Sequence, residues 1–122
     1  MTFDRFVGME FEEEGGELVA RLAVQAHHCN PTGNVNGGVI LSLADNLATG
    51  VANRAYLAKT GEQRFLVAVD LHAVMLANQQ GGALRAVARP VRVGRRVTVI
   101  RTEVRGEGDR VLAEVTSTHV PT

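Results

Sequence analysis

Along residues 39–55 the apolar positions Val39, Ile40, Leu43, Ala44, Leu47, Ala48, Val51, Ala52 and Ala55 recur at three- and four-residue spacing, the period of a helix rather than a strand. Most of the intervening positions are also small or apolar, and a helix apolar on nearly every side is normally wrapped by other structure. Its start is marked in the sequence. Asn30-Pro31-Thr32-Gly33 has the residue order of a type I turn, and residues 34–36 supply side-chain oxygens that could cap a helix beginning near Gly37. The turn and helix together occupy residues 30–56, the only long helical pattern in the chain.

Elsewhere the pattern alternates. Phe3, Phe6 and Val7 could share one face of a short helix, and Met9-Glu10-Phe11 begins like an edge strand before Gly15-Gly16 turns the chain. Residues 17–26 put Leu18, Ala20, Leu22, Val24 and Ala26 on one face, as a half-buried strand requires. After a polar loop at 58–64, residues 65–75 form a second strand, with Phe65, Val67, Val69, Leu71, Ala73 and Met75 on one face and Asp70 and His72 on the other. Turn residues at 78–82 separate it from a third strand at 84–93, where Pro90 marks a bulge or an edge. Gly94 turns the chain into a fourth strand at 96–105, and Gly106-Glu107-Gly108-Asp109 is a hairpin turn into a fifth at 110–120. One long helix followed by four strands with tight turns describes an α+β domain, in which an antiparallel sheet curls about a single helix.

Composition narrows the class. A chain of 122 residues is one domain. Thirteen basic and thirteen acidic residues cancel, so no global field favours nucleic acid or an anionic membrane. Cys29 is the only cysteine, which excludes an internal disulfide and fits a reducing cytoplasmic setting. The N-terminus carries acids where a signal peptide would be basic and then apolar, and no apolar run is long enough to span a bilayer. A cytoplasmic protein is expected.

Asp45 is the residue that the helix must explain. It sits in the middle of the apolar stretch with no Lys or Arg within a turn, and a carboxylate carried into an enclosed helix needs hydrogen bonds, a charge partner or water. It either faces a solvated gap or caps a neighbouring segment, or it serves as a catalytic carboxylate in a cleft.

The spaced set Asn30, Gly33, Gly37-Gly38, Asp45 and Gly50 resembles the signature of the hotdog-fold acyl-CoA thioesterases of the phenylacetate-pathway (PaaI-like) type, and the similarity continues more weakly to about His119. The resemblance implies a hotdog fold, an acyl-CoA or aryl-CoA substrate and a homodimer, often paired into a homotetramer, with no metal or redox cofactor. It also implies Asp45 as the catalytic acid, Gly37 as backbone oxyanion donor, and Asn30 as the group orienting water or the substrate carbonyl. One position departs from the family. Where the family usually has His before the two glycines, this chain has Asn36, which either contacts substrate or serves as a helix N-cap.

Thioester hydrolysis needs a carboxylate to activate water or attack the carbonyl, and N–H donors for the oxyanion. The helix N-terminus at Gly37-Gly38 offers such donors with no side chain in the way. Eight residues on one helix separate Gly37 from Asp45 by about 12 Å at ~1.5 Å per residue. If both act on one carbonyl they must come from different subunits, with two helices antiparallel across a two-fold axis. Asp45 as general base is favoured over Asp45 as nucleophile.

Asn46 and Thr49 flank the acid and could support it. Arg92, Arg95 and Arg96 cluster about Gly94, where guanidinium forks would suit CoA phosphates as readily as they decorate a solvated hairpin. His27-His28-Cys29 lacks the spacing of a metal site, and Cys29 lacks an identifiable base. His72 and His119 read as surface or satisfied core histidines. Two rival functions remain at this point: a non-catalytic acyl-CoA binding or regulatory protein, and a hydratase or dehydratase on the same fold.

Overall fold

The computed structural model describes residues 1–122. The elements are α1 (Phe3–Val7), β1 (Glu10–Glu14), β2 (Glu17–Ala23), α2 (Gly37–Thr60), β3 (Leu66–Met75), β4 (Ala83–Val93), β5 (Thr98–Arg105) and β6 (Val111–Pro121). All six strands form one antiparallel sheet in the order β1-β2-β4-β5-β6-β3, leaving β1 and β3 at the edges.

The sheet wraps α2 because the helix offers it one apolar stripe. Ile40, Leu43, Ala44, Leu47, Ala48, Ala52 and Tyr56 are buried. The first four pack in a cluster with residues of β2, β4, β5 and β6, including Leu22, Leu84, Val104 and Leu112. Ala48, Ala52 and Tyr56 form a second, smaller cluster with Leu66 and Ile100. Around Ile100 the inward-facing positions of β5 and β6 are polar: Thr98, Thr102, Ser117 and His119 are all fully buried.

Two contacts fix α2 lengthwise along β3. Near its C-terminal end, Asn53 Oδ1 accepts from the Leu66 N–H at 2.9 Å, and Asn53 Nδ2 donates to the Thr49 carbonyl at 2.8 Å. At the other end a Cβ on Gly37 would lie 3.7 Å from Met75 Cε. Helix and edge strand therefore run antiparallel, with Asp45 midway between the two contacts.

Several boundaries differ from the sequence expectation. α2 continues past Tyr56 to Thr60, because Ala58 and Lys59 are good helix formers and the stop is Gly61, whose φ of 73° lets its N–H close on the Leu57 carbonyl. β2 ends at Ala23 rather than residue 26, since Ala26–His28 tighten into a 3-10 turn. β3 has a bulge between Ala68 and Asp70, which reverses the alternation; Phe65, Val69, Leu71 and Met75, expected on the inner face, are exposed. The bulge at Pro90 is present, between Pro90 and Arg92.

Candidate active site

The start of α2 is built by its own side chain. Asn36 holds an extended backbone, its N–H donates to the His28 carbonyl at 2.8 Å, and its Oδ1 accepts from the Gly38 N–H at 2.7 Å. Asn36 is thus an N-cap. The cap explains the second glycine: a Cβ at Gly38 would lie 2.9 Å from Asn36 Oδ1. Because Oδ1 takes the Gly38 hydrogen, the Gly37 N–H and the Asn36 Nδ2 group have no partner in the chain. A cavity of about 330 Å³ borders the next residue, Gly38, lined also by Phe3, Phe6, Val7 and Val39 among others.

Asp45 lies on an open flank rather than in an enclosed helix. Ser42, Asp45, Asn46, Thr49, Gly50 and Asn53 are all half-buried and form a second stripe beside the apolar one. The chain supplies Asp45 with neither an ion pair nor a hydrogen bond. Asn46 Nδ2 donates back to the Ser42 carbonyl at 2.8 Å, and the Thr49 carbonyl takes the Asn53 amide. Beyond Thr49 a cavity of about 460 Å³ runs to Arg54, Arg64 and Phe65.

His119 was not singled out by the sequence. It is neither a surface residue nor a fully satisfied core residue: its ring is buried, Nε2 lies 2.8 Å from Ser117 Oγ, and Nδ1 has no partner. Burial pushes its imidazole below the ordinary histidine value, and the negative charge of Asp45 partly offsets this. The only sequence trace was the inward alternation Val115, Ser117, His119. His72 is exposed.

The other candidates divide between turns and surface. Asn30 Oδ1 accepts from the Thr32 N–H, Thr32 Oγ1 and the Asn34 N–H at 3.0, 2.6 and 3.2 Å, so it organises the turn before α2 and leaves only its Nδ2 to face outward. His27 and His28 are on the 3-10 turn, not on a strand. His28 is buried; its Nδ1 accepts from the Gln25 N–H at 2.8 Å, which makes Nε2 the donor to the Val7 carbonyl at 2.6 Å. That ring ties α1 to the turn. Cys29 Sγ is 3.7 Å from the Gln25 carbonyl. Arg92, Arg95 and Arg96 are exposed around a cavity of about 430 Å³ and take part in none of the ion pairs. Thus α2 carries Gly37, Gly38, Asp45, Asn46 and Thr49, its entry turn carries Asn30 and Asn36, and the three arginines stand apart, Arg92 at the end of β4 and Arg95 and Arg96 on the turn to β5.

The thioesterase superfamily model matches residues 32–113, from the turn before α2 into β6. The chain belongs to the thioesterase superfamily. Among curated relatives, 1,4-dihydroxy-2-naphthoyl-CoA hydrolase of Escherichia coli is 30% identical over 107 residues, 87% of this chain and 76% of that protein. The PaaI protein of the Escherichia coli phenylacetic acid degradation operon superposes with a TM-score of 0.85 at 20% identity, covering 98% of this chain and 83% of that one. A Bacillus halodurans protein solved with CoA gives 0.88 at 23% identity, covering 98% and 77%. The fold is the hotdog fold, and this superfamily member is a thioester hydrolase. No helix is long and apolar enough to cross a membrane.

Proposed function

We propose that this thioesterase hydrolyses an acyl-CoA or aryl-CoA ester to the free acid and CoA, with Asp45 as general base. The observation that carries the reading is the flank of α2, which holds a carboxylate with no partner in its own chain, eight residues from an N–H with no partner. Asp45 takes a proton from water as the water oxygen adds to the thioester carbonyl carbon. The oxyanion that forms accepts from the Gly37 N–H, which the positive end of α2 reinforces. Asn36 Nδ2, held outward by its own cap, contacts the same oxygen, and Asn30 Nδ2 positions the acyl carbonyl or the water. When the tetrahedral species collapses, the C–S bond breaks and the CoA sulfur takes the proton from Asp45. Gly38, Asn46 and Thr49 line the substrate channel. Arg92, Arg95 and Arg96, unpaired with any carboxylate, bind CoA phosphates.

The ~12 Å between Gly37 and Asp45 along one helix requires a second subunit. The surface that supports one is β3, an edge strand with one side unpaired. Val69, Leu71, Val74 and Met75 are exposed along it, with Phe65 and Leu76 exposed at its two ends, an apolar edge that a monomer would normally blunt. Pairing β3 with its two-fold copy sets two α2 helices side by side and gives two equivalent sites in a homodimer, which can pair again as a homotetramer.

The test is thiol release from short, medium, long and aryl acyl-CoA esters, comparing the wild type with Asp45→Asn. The wild type is expected to turn over one class well and the variant to lose roughly 10²- to 10⁴-fold. Activity retained in Asp45→Asn would remove the carboxylate from the mechanism.

A further inference from the structure

Under the middle of α2 lies a buried polar pair, Ser117 and His119, that the hydrolysis described above does not use. The two contacts that hold α2 along β3, Asn53 to Leu66 and Gly37 to Met75, put Asp45 level with the middle of that strand. In the β3–β6 register, Leu71 is opposite Ser117 and Ala68 is opposite His119. The sheet therefore presents Ser117 and His119, both fully buried, to the stretch of helix that carries the carboxylate. His119 Nε2 is engaged by Ser117 Oγ at 2.8 Å, whereas Nδ1 is buried without a partner. Leaving a buried polar nitrogen unpaired is costly, so its retention calls for an explanation in the site above it.

We propose that His119, fixed by Ser117, is a positioning residue for Asp45: its Nδ1–H reaches the carboxylate through one bridging water and holds that carboxylate in the orientation that takes the proton from water. This proposal rests on the thioesterase reading of Asp45. The tautomer follows from charge. Asp45 is the charged group whose field reaches this ring, and a carboxylate favours a donor facing it over a lone pair. With the hydrogen on Nδ1, Nε2 is the acceptor and the Ser117 hydroxyl donates to it. The result is a short donor chain, from Ser117 Oγ–H to Nε2 and from Nδ1–H toward Asp45. The imidazole stays neutral because burial disfavours its charged form, so the chain orients the base without competing with it for the proton. The arrangement also assigns a role to Ser117 and His119, two of the four polar positions around Ile100.

The test compares three variants at His119 with the wild type in thiol release from the best acyl-CoA substrate. His119→Asn keeps an N–H close to the Nδ1 position, His119→Gln keeps a polar group close to Nε2 for Ser117, and His119→Leu keeps neither. The expected result is a fall in kcat of about tenfold or more for His119→Leu and His119→Gln, the scale of one hydrogen bond to a charged group, with KM little changed and with kcat largely retained in His119→Asn. In an Asp45→Asn background, His119→Leu is expected to cost nothing further. Equal loss in Asn and Gln, or a further loss in the Asp45→Asn background, would make His119 a packing residue and overturn the proposal, and should His119→Leu fail to fold, the Asn and Gln variants decide alone. If Asp45→Asn by itself retains turnover, it is the assignment of Asp45 that fails, an outcome distinct from any His119 result.

Discussion

Asn53 joins the active helix to the edge strand, and its removal gives a test whose size can be worked from the geometry. In Asn53→Ala the Leu66 N–H loses its acceptor at 2.9 Å, while the Leu66 side chain remains buried. An orphaned buried N–H costs about 1–3 kcal/mol. The cavity lined by Asn53, Thr49 and Phe65 admits some solvent, which draws the expectation to the lower half of that range. Alanine also improves helix propensity by up to ~0.7 kcal/mol, and this gain must be separated from the loss. Asn46→Ala provides the control, because Asn46 is on the same helix and its amide donates only to the Ser42 carbonyl one turn back. The expected difference between the two variants is about 1–2 kcal/mol in urea unfolding at fixed protein concentration. For a chain of 122 residues it corresponds to a difference in Tm of roughly 4 °C per kcal/mol. Two variants of equal stability would mean that the Leu66 N–H finds another partner at no cost, and that Asn53 is not the clamp.

Three further outcomes follow from the same geometry. Stability should fall on acidification in two stages: His119 resists protonation when folded, so the unfolded chain gains a proton the native state does not as pH drops below about 6.5. Glu14, held down from 4.5 to about 2 by Arg85 and Arg21, adds a surface contribution that is complete above pH 4.5 and is lost as pH falls toward 2; urea midpoints across pH, with His119→Leu lacking the first stage, check both. Arg95→Ala with Arg96→Ala should raise KM for CoA esters while leaving kcat near wild type, and Gly94→Ala should do the same through the turn, since a Cβ there would lie 2.8 Å from the Val97 carbonyl oxygen; steady-state kinetics with and without added salt separate charge from shape. Val74→Asp, placing a charge on the exposed edge of β3, should yield a monomer in sedimentation velocity with activity lost by the same factor as the dimer.

The helix was legible because two local signals agreed, the three- and four-residue apolar spacing from Val39 to Ala55 and an Asn three residues before Val39 that does cap it. Its far end was not, because Ala58, Lys59 and Thr60 are polar or small in composition yet helical in propensity, and only Gly61 has the backbone freedom to stop the helix. The face of β3 was misread for a different reason. A bulge changes the parity of every residue on one side of it, and Phe65, Val69 and Leu71 have the composition of a core strand while lying on an exposed edge. At the site, Asp45 and Gly37 stood out because each is unusual in its own segment. His28 and His119 did not, since what gives them their roles is a carbonyl of α1 and a helix above β6, neither of which leaves a mark in the neighbouring sequence.

The division of the core into two apolar clusters has a dynamic consequence. The N-terminal half of α2 is anchored in a cluster of fourteen buried residues, whereas its C-terminal half rests on five, Ala48, Ala52, Tyr56, Leu66 and Ile100. Thr102 and Ser117 stand between the two, and only the half-buried Val51 and Ala88 pack against both, so loosening of the small cluster reaches the large one through few contacts. The last three turns of α2 can then open as a separate cooperative unit, and amide hydrogens beyond Ala52 should exchange with solvent well before those between Leu43 and Leu47. The end of α2 that bears Gly37 would stay fixed while the walls of the Thr49–Phe65 cavity breathe.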